Sequence, residues 1–344
     1  MHKGPSINNA TAYKTTDIVL SGDIGGTKTN LALFSRGKTR PVLKFFQTYP
    51  SRKYLSLEKI IEEFLPVNPR SLAMACLGIA GPVMDGKVKT TNLPWEISET
   101  RIMEKFGFGK AKLINDLTAT ALSVPLLKHK DTVYLNRVRA SKNGNIVVLA
   151  PGTGTGVAFL FNDNGRYEAL PSEGGHADLA SLTQNQDDLI RYLRNRYGRV
   201  SMERVISGNG LINIYDWLKE TGRFREPEAL KELLENGDPA EIISKNAIDN
   251  RYAICTEALR EFVSILGAAA GNLALTVMAL GGVYLGGGIP PKIIPALSQG
   301  AFMESFEYKG RFSGLMKKIP VRIIVNNRAA LYGAACRALE LTGS

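Results

Sequence analysis

Residues 20–30 read LSGDIGGTKTN, a glycine-rich stretch between two runs of strand-forming residues. Its spacing fits neither common nucleotide-binding pattern, because it contains no G-x-x-x-x-G-K-[ST] and no G-x-G-x-x-G that opens a helix. The residues that follow, TNLALF, alternate in polarity and favour a strand. The stretch is therefore predicted to be the corner of a β-hairpin. The corner residues are Asp23, Gly25, Gly26 and Thr27.

A hairpin corner of this composition suits an anion. Glycines let backbone N–H groups approach an oxyanion closely, and the Thr27 hydroxyl adds a donor. The Asp23 carboxylate would repel a bare phosphate, so we expect it to act on Mg²⁺, through water. An ordinary turn that binds nothing is the alternative interpretation.

Two further glycine turns are predicted in the second half of the chain. The first lies between the strand-like VVLA and VAFLF and can form a second phosphate hairpin. It consists of Gly152, Thr153, Gly154 and Thr155. The other turn follows the strand-like VYL, where a backbone without side chains would let a flat base lie close. It consists of Gly286, Gly287 and Gly288.

Length and composition predict a two-domain soluble enzyme with a cleft. The 344 residues exceed the span of one hydrophobic core, and 44% are hydrophobic. No membrane span is expected, because the most apolar stretch, 262–289, is interrupted by glycines and predicts a buried helix and a strand. The net charge of +11 raises nucleic acid as a partner. The basic residues are scattered, however, so we expect solvated faces and no nucleic-acid partner.

The cellular compartment is predicted from cysteines and the N-terminal residues. The 3 cysteines lie far apart in apolar surroundings, which is typical of small buried side chains in a reducing compartment. The opening MHKGPSINNATAYKTTD has no apolar core of the kind that a secretory signal needs. We therefore expect the protein in the cytoplasm.

A candidate acceptor site lies in LIND, residues 113–116. A strand there delivers Asn115 and Asp116 to its carboxyl end, where α/β sheets usually carry their chemistry. Asp116 can take a proton from an acceptor hydroxyl while Asn115 binds a neighbouring hydroxyl. The alternative is that Asp116 caps the helix that follows.

Together, these motifs resemble the actin, sugar kinase and Hsp70 ATPase superfamily, and within it the ATP-dependent bacterial glucokinases of the proteobacterial type. The resemblance extends from about Ile18 to Leu341. It implies an α/β, duplicated ribonuclease H-like fold, with two domains and an interdomain cleft. We expect a small domain of residues 1–125 plus 322–344 and a large domain of residues 126–321. The family further implies ATP, Mg²⁺, glucose as acceptor, Asp116 as base and a homodimer.

The resemblance also implies a set of sugar contacts. These are Asn92, Asn115, Asp116, Glu173, His176 and Glu203, the last reached from a predicted helix. Related sugar kinases use a histidine near His176 beside a cysteine-rich zinc motif. That motif is absent from this chain, so no zinc is expected.

Three alternatives remain beside glucose phosphorylation. The acceptor can be another hexose such as mannose, fructose or N-acetylglucosamine, because small shifts in the acceptor pocket decide whether one epimeric hydroxyl is tolerated or rejected. A sugar-sensing transcriptional regulator would need a DNA-binding domain, and too few residues precede Ile18 for one. An ATPase without a sugar site is disfavoured by the polar set above.

Overall fold

The computed structural model describes residues 18–65, 72–90 and 93–342. Leu127–Asn327 form one compact unit, here called unit 2, and the described residues on either side of it form unit 1. The sequence-based division assigned 322–344 to the first domain, whereas the residues up to Asn327 belong to unit 2. A strand at Val321–Ile324, paired within the sheet of unit 2, accounts for the difference.

The strands are β1 Ile18–Ile24, β2 Lys28–Ser35, β3 Val42–Pro50, β4 Met74–Ile79, β5 Lys87–Lys89, β6 Glu96–Ser98, β7 Lys110–Asn115, β8 Thr132–Tyr134, β9 Ile146–Pro151, β10 Thr155–Asp163, β11 Arg166–Ser172, β12 Gly282–Leu285 and β13 Val321–Ile324. The helices are α1 Leu57–Phe64, α2 Glu99–Phe106, α3 Asp116–Ser123, α4 Gln184–Tyr197, α5 Gly208–Glu220, α6 Glu228–Glu235, α7 Pro239–Ile248, α8 Ala253–Thr276, α9 Ile294–Leu297, α10 Ala301–Glu307, α11 Ser313–Met316 and α12 Ala329–Leu341.

Unit 1 is built on a five-stranded sheet in the order β3-β2-β1-β4-β7. Its first three strands are antiparallel neighbours, whereas β4 and β7 run parallel to β1. Apolar residues of α1 and α2 pack on one face of this sheet in a buried core. Helices α3 and α12 pack against each other and against β1 and β4. Small residues permit this approach, since a side chain at Gly78 would lie 3.0 Å from the Ala119 Cβ.

Unit 2 is built on a six-stranded sheet in the order β11-β10-β9-β12-β13-β8. Here too the first three strands are antiparallel neighbours, and β12 and β13 continue in parallel. Strand residues such as Val147, Leu149 and Val283 share one buried core with helices α5, α8 and α10. The same strand order and the same directions therefore occur twice, and the predicted duplicated fold is confirmed.

The helix that was predicted to carry Glu203 begins later than expected. Residues Met202–Arg204 form a short 3-10 turn, and α5 begins only at Gly208. The Ser207 hydroxyl caps that helix by accepting from the Gly210 N–H at 3.0 Å. Glu203 thus lies in a turn ahead of the helix. The short hairpin of β5 and β6 and the helices α6, α7, α10 and α11 were not predicted.

Helix α8 accounts for the apolar stretch that begins near Phe262. By length and composition α8 could cross a membrane, but 72% of its most apolar window is buried inside the protein. Its buried residues, including Phe262, Leu266 and Ala270, belong to the core of unit 2. The prediction of a buried helix followed by a strand is confirmed by α8 and β12.

The contact between α3 and α12 supports a stability prediction at Gly333. A Cβ at this position would lie 1.8 Å from the Ala119 carbonyl oxygen, so one helix would have to move. We expect Gly333→Ala to lower the free energy of unfolding by about 1–3 kcal/mol, as overpacking typically does. Gly314→Ala is the matched helical control, because a Cβ there meets nothing within 4 Å. Urea denaturation would contradict the prediction if both variants unfolded like the parent.

Candidate active site

In unit 1, the hairpin corner and the predicted base lie at one edge of the sheet. Strands β1, β4 and β7 run parallel, and their last paired residues are Ile24, Ile79 and Asn115. The corner after β1 and Asp116 after β7 therefore emerge at the same edge, separated by β4. Asp23 and Asp116 are close enough for the charge of one to affect the other.

Ser51 fixes the corner between β1 and β2. This buried residue donates its hydroxyl to the Gly25 carbonyl at 2.8 Å and its backbone N–H to the Thr27 carbonyl at 3.0 Å. Its hydroxyl also lies 2.9 Å from the Thr29 hydroxyl. Because a trans peptide directs C=O and the next N–H in opposite directions, the Gly26 N–H faces away from Ser51.

Asp23 is held by a chain of polar side chains on β2 and β3. Asn30 donates to the Asp23 carboxylate at 3.2 Å, and Thr48 donates to the Asn30 side-chain oxygen at 2.8 Å. Burial raises the pKa of the Asp23 carboxyl above its ordinary value. The Asn30 hydrogen bond opposes this increase in pKa, while the negative charge of Asp116 adds to it.

The Asp23 carboxylate fits a magnesium ion that is held through water. Mg²⁺ prefers oxygen ligands, keeps several waters and usually takes only one or two protein carboxylates together with substrate phosphates. The described ranges contain no group of three or more His, Cys, Asp or Glu side chains that could enclose a metal. The partly buried Asp23 carboxylate, beside the negative charge of Asp116, matches the small number of protein ligands that Mg²⁺ usually takes.

Asn115 takes the capping role that was considered for Asp116. Its side-chain oxygen accepts from the N–H groups of Leu117 and Thr118 at 2.9 and 3.3 Å, which makes it the N-cap of α3. Its side-chain nitrogen donates to the Gly81 carbonyl at 3.3 Å. One amide hydrogen of Asn115 remains in addition to that bond. Asp116 is instead the first helical residue, and its Oδ1 accepts the Leu117 N–H at 2.8 Å.

In unit 2, the second hairpin corner is supported from two directions. The Gly208 N–H donates to the Gly152 carbonyl at 2.9 Å, and the Gly152 N–H donates to the Gly154 carbonyl at 2.8 Å. Thr153 at the tip is exposed. Peptide planarity directs the Thr153 N–H away from Gly208.

The third glycine turn lies against the end of β9, next to the second hairpin corner. The Gly286 N–H donates to Leu149 at 2.9 Å, and Gly287 has a φ of +78°, which favours glycine. A Cβ on Gly287 would lie 2.4 Å from the Pro151 carbonyl oxygen. Gly288 is exposed and has open space around it. The backbone surface predicted for a flat base is thus present beside the second hairpin.

Thr155 differs from the other predicted phosphate contacts. It is buried, its N–H donates to the Glu203 carboxylate at 2.9 Å, and its hydroxyl donates to the Ile206 carbonyl at 2.8 Å. Both of its donors are therefore occupied within the protein. The structure gives Thr155 a role in holding the hairpin, in place of the direct ligand contact that we predicted from the sequence.

The predicted sugar residues of unit 2 come together beside that hairpin. Glu173 and His176 flank a short turn and are exposed, with 3.9 Å between the Glu173 Oε2 and the His176 Nε2. The His176 Nδ1 lies 3.9 Å from the Glu203 Oε1. Gly175 packs so closely on Thr155 that a Cβ would lie 1.8 Å from its carbonyl oxygen.

Some supporting residues were missed from the sequence, and one predicted residue lies outside the described ranges. Arg199 donates to the His176 carbonyl at 2.8 Å and to the Asp178 carboxylate at 2.6 Å. These bonds fix the turn at Gly174–His176, here called the sugar-side turn. Ser51 was missed as well, because it follows a strand with no motif around it. Asn92 lies outside the described residues.

The comparisons with known proteins show the family of the chain. The family model described as glucokinase matches residues 20–341. A glucokinase of Synechocystis sp. is 37% identical, covering 93% of this chain and 98% of its own. A glucokinase of Photorhabdus laumondii is 36% identical, covering 92% of this chain and 95% of its own.

Solved structures give the same result. The crystal structure of a glucokinase from an Antarctic psychrotroph has a TM-score of 0.84 and 34% identity, covering 93% of this chain and 98% of that one. A glucokinase of the ROK family from Streptomyces griseus, solved with glucose and AMPPNP, has a TM-score of 0.60 at 19% identity, covering 94% of this chain and 99% of that one, and shares the fold. Fold and site thus define an ATP-dependent sugar kinase with the actin-like ATPase fold. The chain belongs to the glucokinase family.

The raised pKa of Asp23 predicts how its replacement changes stability with pH. A carboxyl whose folded-state pKa is raised stabilises the fold below its unfolded pKa, near 3.8, and loses that contribution as pH rises through the folded pKa. Asp23→Asn stays neutral and keeps an acceptor for Asn30. We therefore expect it to be more stable than the parent at pH 7, with the gain vanishing towards pH 3.8.

The same variant should lose about 10–100-fold in turnover, as is typical when a group around a metal is replaced. Asp85→Asn is the control, because Asp85 is exposed and its φ of +49° suits Asn. Chemical denaturation at several pH values and steady-state kinetics measure the two effects. Equal stability of Asp23→Asn and the parent at pH 7 would contradict the prediction.

Ser51→Ala tests the support of the first hairpin. It leaves the partly buried Gly25 carbonyl without its side-chain donor, a loss of about 0.5–1.5 kcal/mol. We expect the KM for ATP to rise about fivefold or more, while the KM for sugar stays close to that of the parent. Ser56→Ala is the control, since the Ser56 hydroxyl makes no capping bond. An unchanged KM for ATP in Ser51→Ala would show that the hairpin holds its geometry without this residue.

Proposed function

We propose that this protein transfers the γ-phosphoryl group of ATP to the 6-hydroxyl of D-glucose, giving glucose 6-phosphate. The observation that carries the proposal is in unit 1, where a glycine hairpin corner and Asp116 lie at the same edge of the sheet. Family membership supports the reaction type. The compact sugar-side group in unit 2 supports a sugar as acceptor.

Asp116 is the proposed base. At the first position of α3 its carboxylate can accept the proton of the 6-hydroxyl as the new P–O bond forms. Phosphoryl transfer requires mainly positioning and charge stabilisation, because its transition state is loose and anionic. Orientation of the hydroxyl is therefore as important a role for Asp116 as proton acceptance.

The sugar contacts are proposed for each unit by itself. Asn115 offers its remaining amide hydrogen, and Glu173, His176 and Glu203 offer two carboxylates and an imidazole for the other hydroxyls. Asn92 stays a proposed contact on the basis of resemblance.

ATP is proposed to be held mainly by backbone groups. The N–H groups of Gly26 and Thr153 and the hydroxyls of Thr27 and Thr153 are the donors that we assign to the phosphates. Gly286, Gly287 and Gly288 would lie against the adenine base of ATP. Bound Mg²⁺, held by Asp23 through water, would neutralise phosphate charge. Exclusion of water from the reacting groups would prevent hydrolysis.

We place the reaction in the cytoplasm, where ATP is available and the product can enter glycolysis. Burial raises the pKa of each of the three cysteine thiols to about 12, which keeps them protonated and inert in a reducing compartment. A homodimer is part of the proposal on family resemblance, and light scattering of the purified protein tests it.

The central experiment measures ADP release with Mg-ATP across a panel of glucose, mannose, fructose and N-acetylglucosamine. We expect glucose to give the highest kcat/KM. Another hexose as the preferred substrate would replace glucose in the proposal, and no turnover above background ATPase with any sugar would refute it.

Asp116→Asn tests the base. Loss of a general base typically costs about 10²–10⁴-fold in rate. We expect kcat to fall within that range while glucose still binds, as measured by fluorescence or calorimetry. Turnover close to that of the parent would exclude Asp116 as the base, even if glucose is the substrate.

A further inference from the structure

Glu203 contacts both halves of the site in unit 2. Its Oε2 accepts the Thr155 N–H at 2.9 Å, at the start of β10 in the second hairpin. Its Oε1 lies 3.9 Å from the His176 Nδ1 on the sugar side. One carboxylate therefore touches the phosphate hairpin with one oxygen and faces the sugar residues with the other.

The Glu203 carboxylate has little room beside the hairpin. A Cβ built on Gly154 would lie only 2.5 Å from its Oε2, so this glycine is what admits the carboxylate. The Glu203 carbonyl accepts the Ser207 hydroxyl at 2.7 Å, which fixes the backbone of the turn. A shift of the hairpin and a change in the Glu203 rotamer are thus linked.

Other residues of the 202–208 segment are also hydrogen-bonded to the hairpin. The Thr155 hydroxyl donates to Ile206 at 2.8 Å, and the Gly208 N–H donates to Gly152 at 2.9 Å. On the other side, the Met202 N–H donates to Ala177 at 2.9 Å, next to His176. The segment therefore connects the phosphate hairpin to the sugar-side turn through hydrogen bonds at each end.

We propose that Glu203 is a positioning residue for the second phosphate hairpin, and that through it sugar and nucleotide increase each other's affinity. The inference rests on the proposed function and adds a second role to a residue that the sequence assigned to the sugar alone. A sugar hydroxyl on Oε1 fixes the carboxylate, and the fixed carboxylate holds the Thr155 N–H and with it the hairpin. Thermodynamic linkage makes the effect equal in both directions.

The first experiment measures Mg-AMPPNP affinity by calorimetry in the absence of sugar. A residue that only binds sugar would leave this affinity unchanged. We expect Glu203→Ala to weaken AMPPNP binding about fivefold or more, at the lower end of typical coupling between sites. Glu173→Ala is the matched control, since Glu173 is exposed on the sugar side, and it should bind AMPPNP like the parent.

Glu203→Gln separates positioning from a general structural defect. Its amide oxygen can accept the Thr155 N–H, so we expect AMPPNP affinity to recover relative to Glu203→Ala while sugar affinity stays reduced. Parent-like AMPPNP affinity in Glu203→Ala would overturn the proposal. So would equal losses in Glu203→Ala and Glu173→Ala.

The second experiment approaches the contact from the hairpin. In Gly154→Ala the new methyl group takes the space of the Glu203 Oε2, and the flexible carboxylate can rotate away without unfolding the segment. We expect glucose affinity, measured without nucleotide, to fall although the substitution is in the phosphate hairpin. Parent-like glucose affinity would contradict the coupling.

The linkage itself is measured as the ratio of AMPPNP affinities with and without glucose. We expect AMPPNP to bind the parent several-fold more tightly with glucose, and this ratio to approach one in Gly154→Ala. A ratio of one in the parent would overturn the cooperativity. Because the assays without sugar do not depend on turnover, absence of hexokinase activity would refute the proposed function separately from the positioning role.

Discussion

Each hairpin has particular carbonyl groups bonded inside the protein, and this constraint determines which N–H groups it offers to an anion. A peptide that directs its C=O inward must direct its N–H outward. In unit 1 Ser51 holds the carbonyls of Gly25 and Thr27, and in unit 2 Gly208 holds the Gly152 carbonyl. A glycine turn between two strands can thus present donors without the N-terminus of a helix, which explains why neither common nucleotide pattern is present.

The other donors of the hairpins fall into two groups. Some point outward and are free for a ligand, whereas others are used to hold the hairpin. The N–H groups of Gly26 and Thr153 point away from the residues that fix the hairpins. The N–H and hydroxyl of Thr155 are both used inside the protein, so Thr155 contributes to the shape of the hairpin and not to its free donors. Burial agrees with this distinction, because Thr155, which holds the hairpin, is buried and Thr153, at its tip, is exposed.

Sequence patterns predicted the fold well because strand alternation and glycine corners are local signals. The hairpins at Asp23 and Gly152 follow from glycine turns between strand-like runs, and the strand before Asn115 follows from its own strand-like run. The capping role of Asn115 could not be separated from that of Asp116, because either side chain can cap. The Leu117 N–H donates to both side chains, and only the bond from the Thr118 N–H to Asn115 decides. Ser51 and the hairpin contact of Glu203 depend on residues far apart in the chain, and no local spacing encodes them.

The two supports differ in charge, and this difference assigns them different tasks. Ser51 is neutral and buried, so it can fix the first hairpin without altering the field around Asp23, whose pKa is already raised by burial and by Asp116. A carboxylate in the place of Ser51 would add a further negative charge where phosphates must bind. Glu203 is a carboxylate, and its second oxygen faces His176, which the proposed function assigns to the sugar. A neutral support can hold a hairpin, whereas the Glu203 carboxylate also offers an acceptor to the sugar of the proposed function.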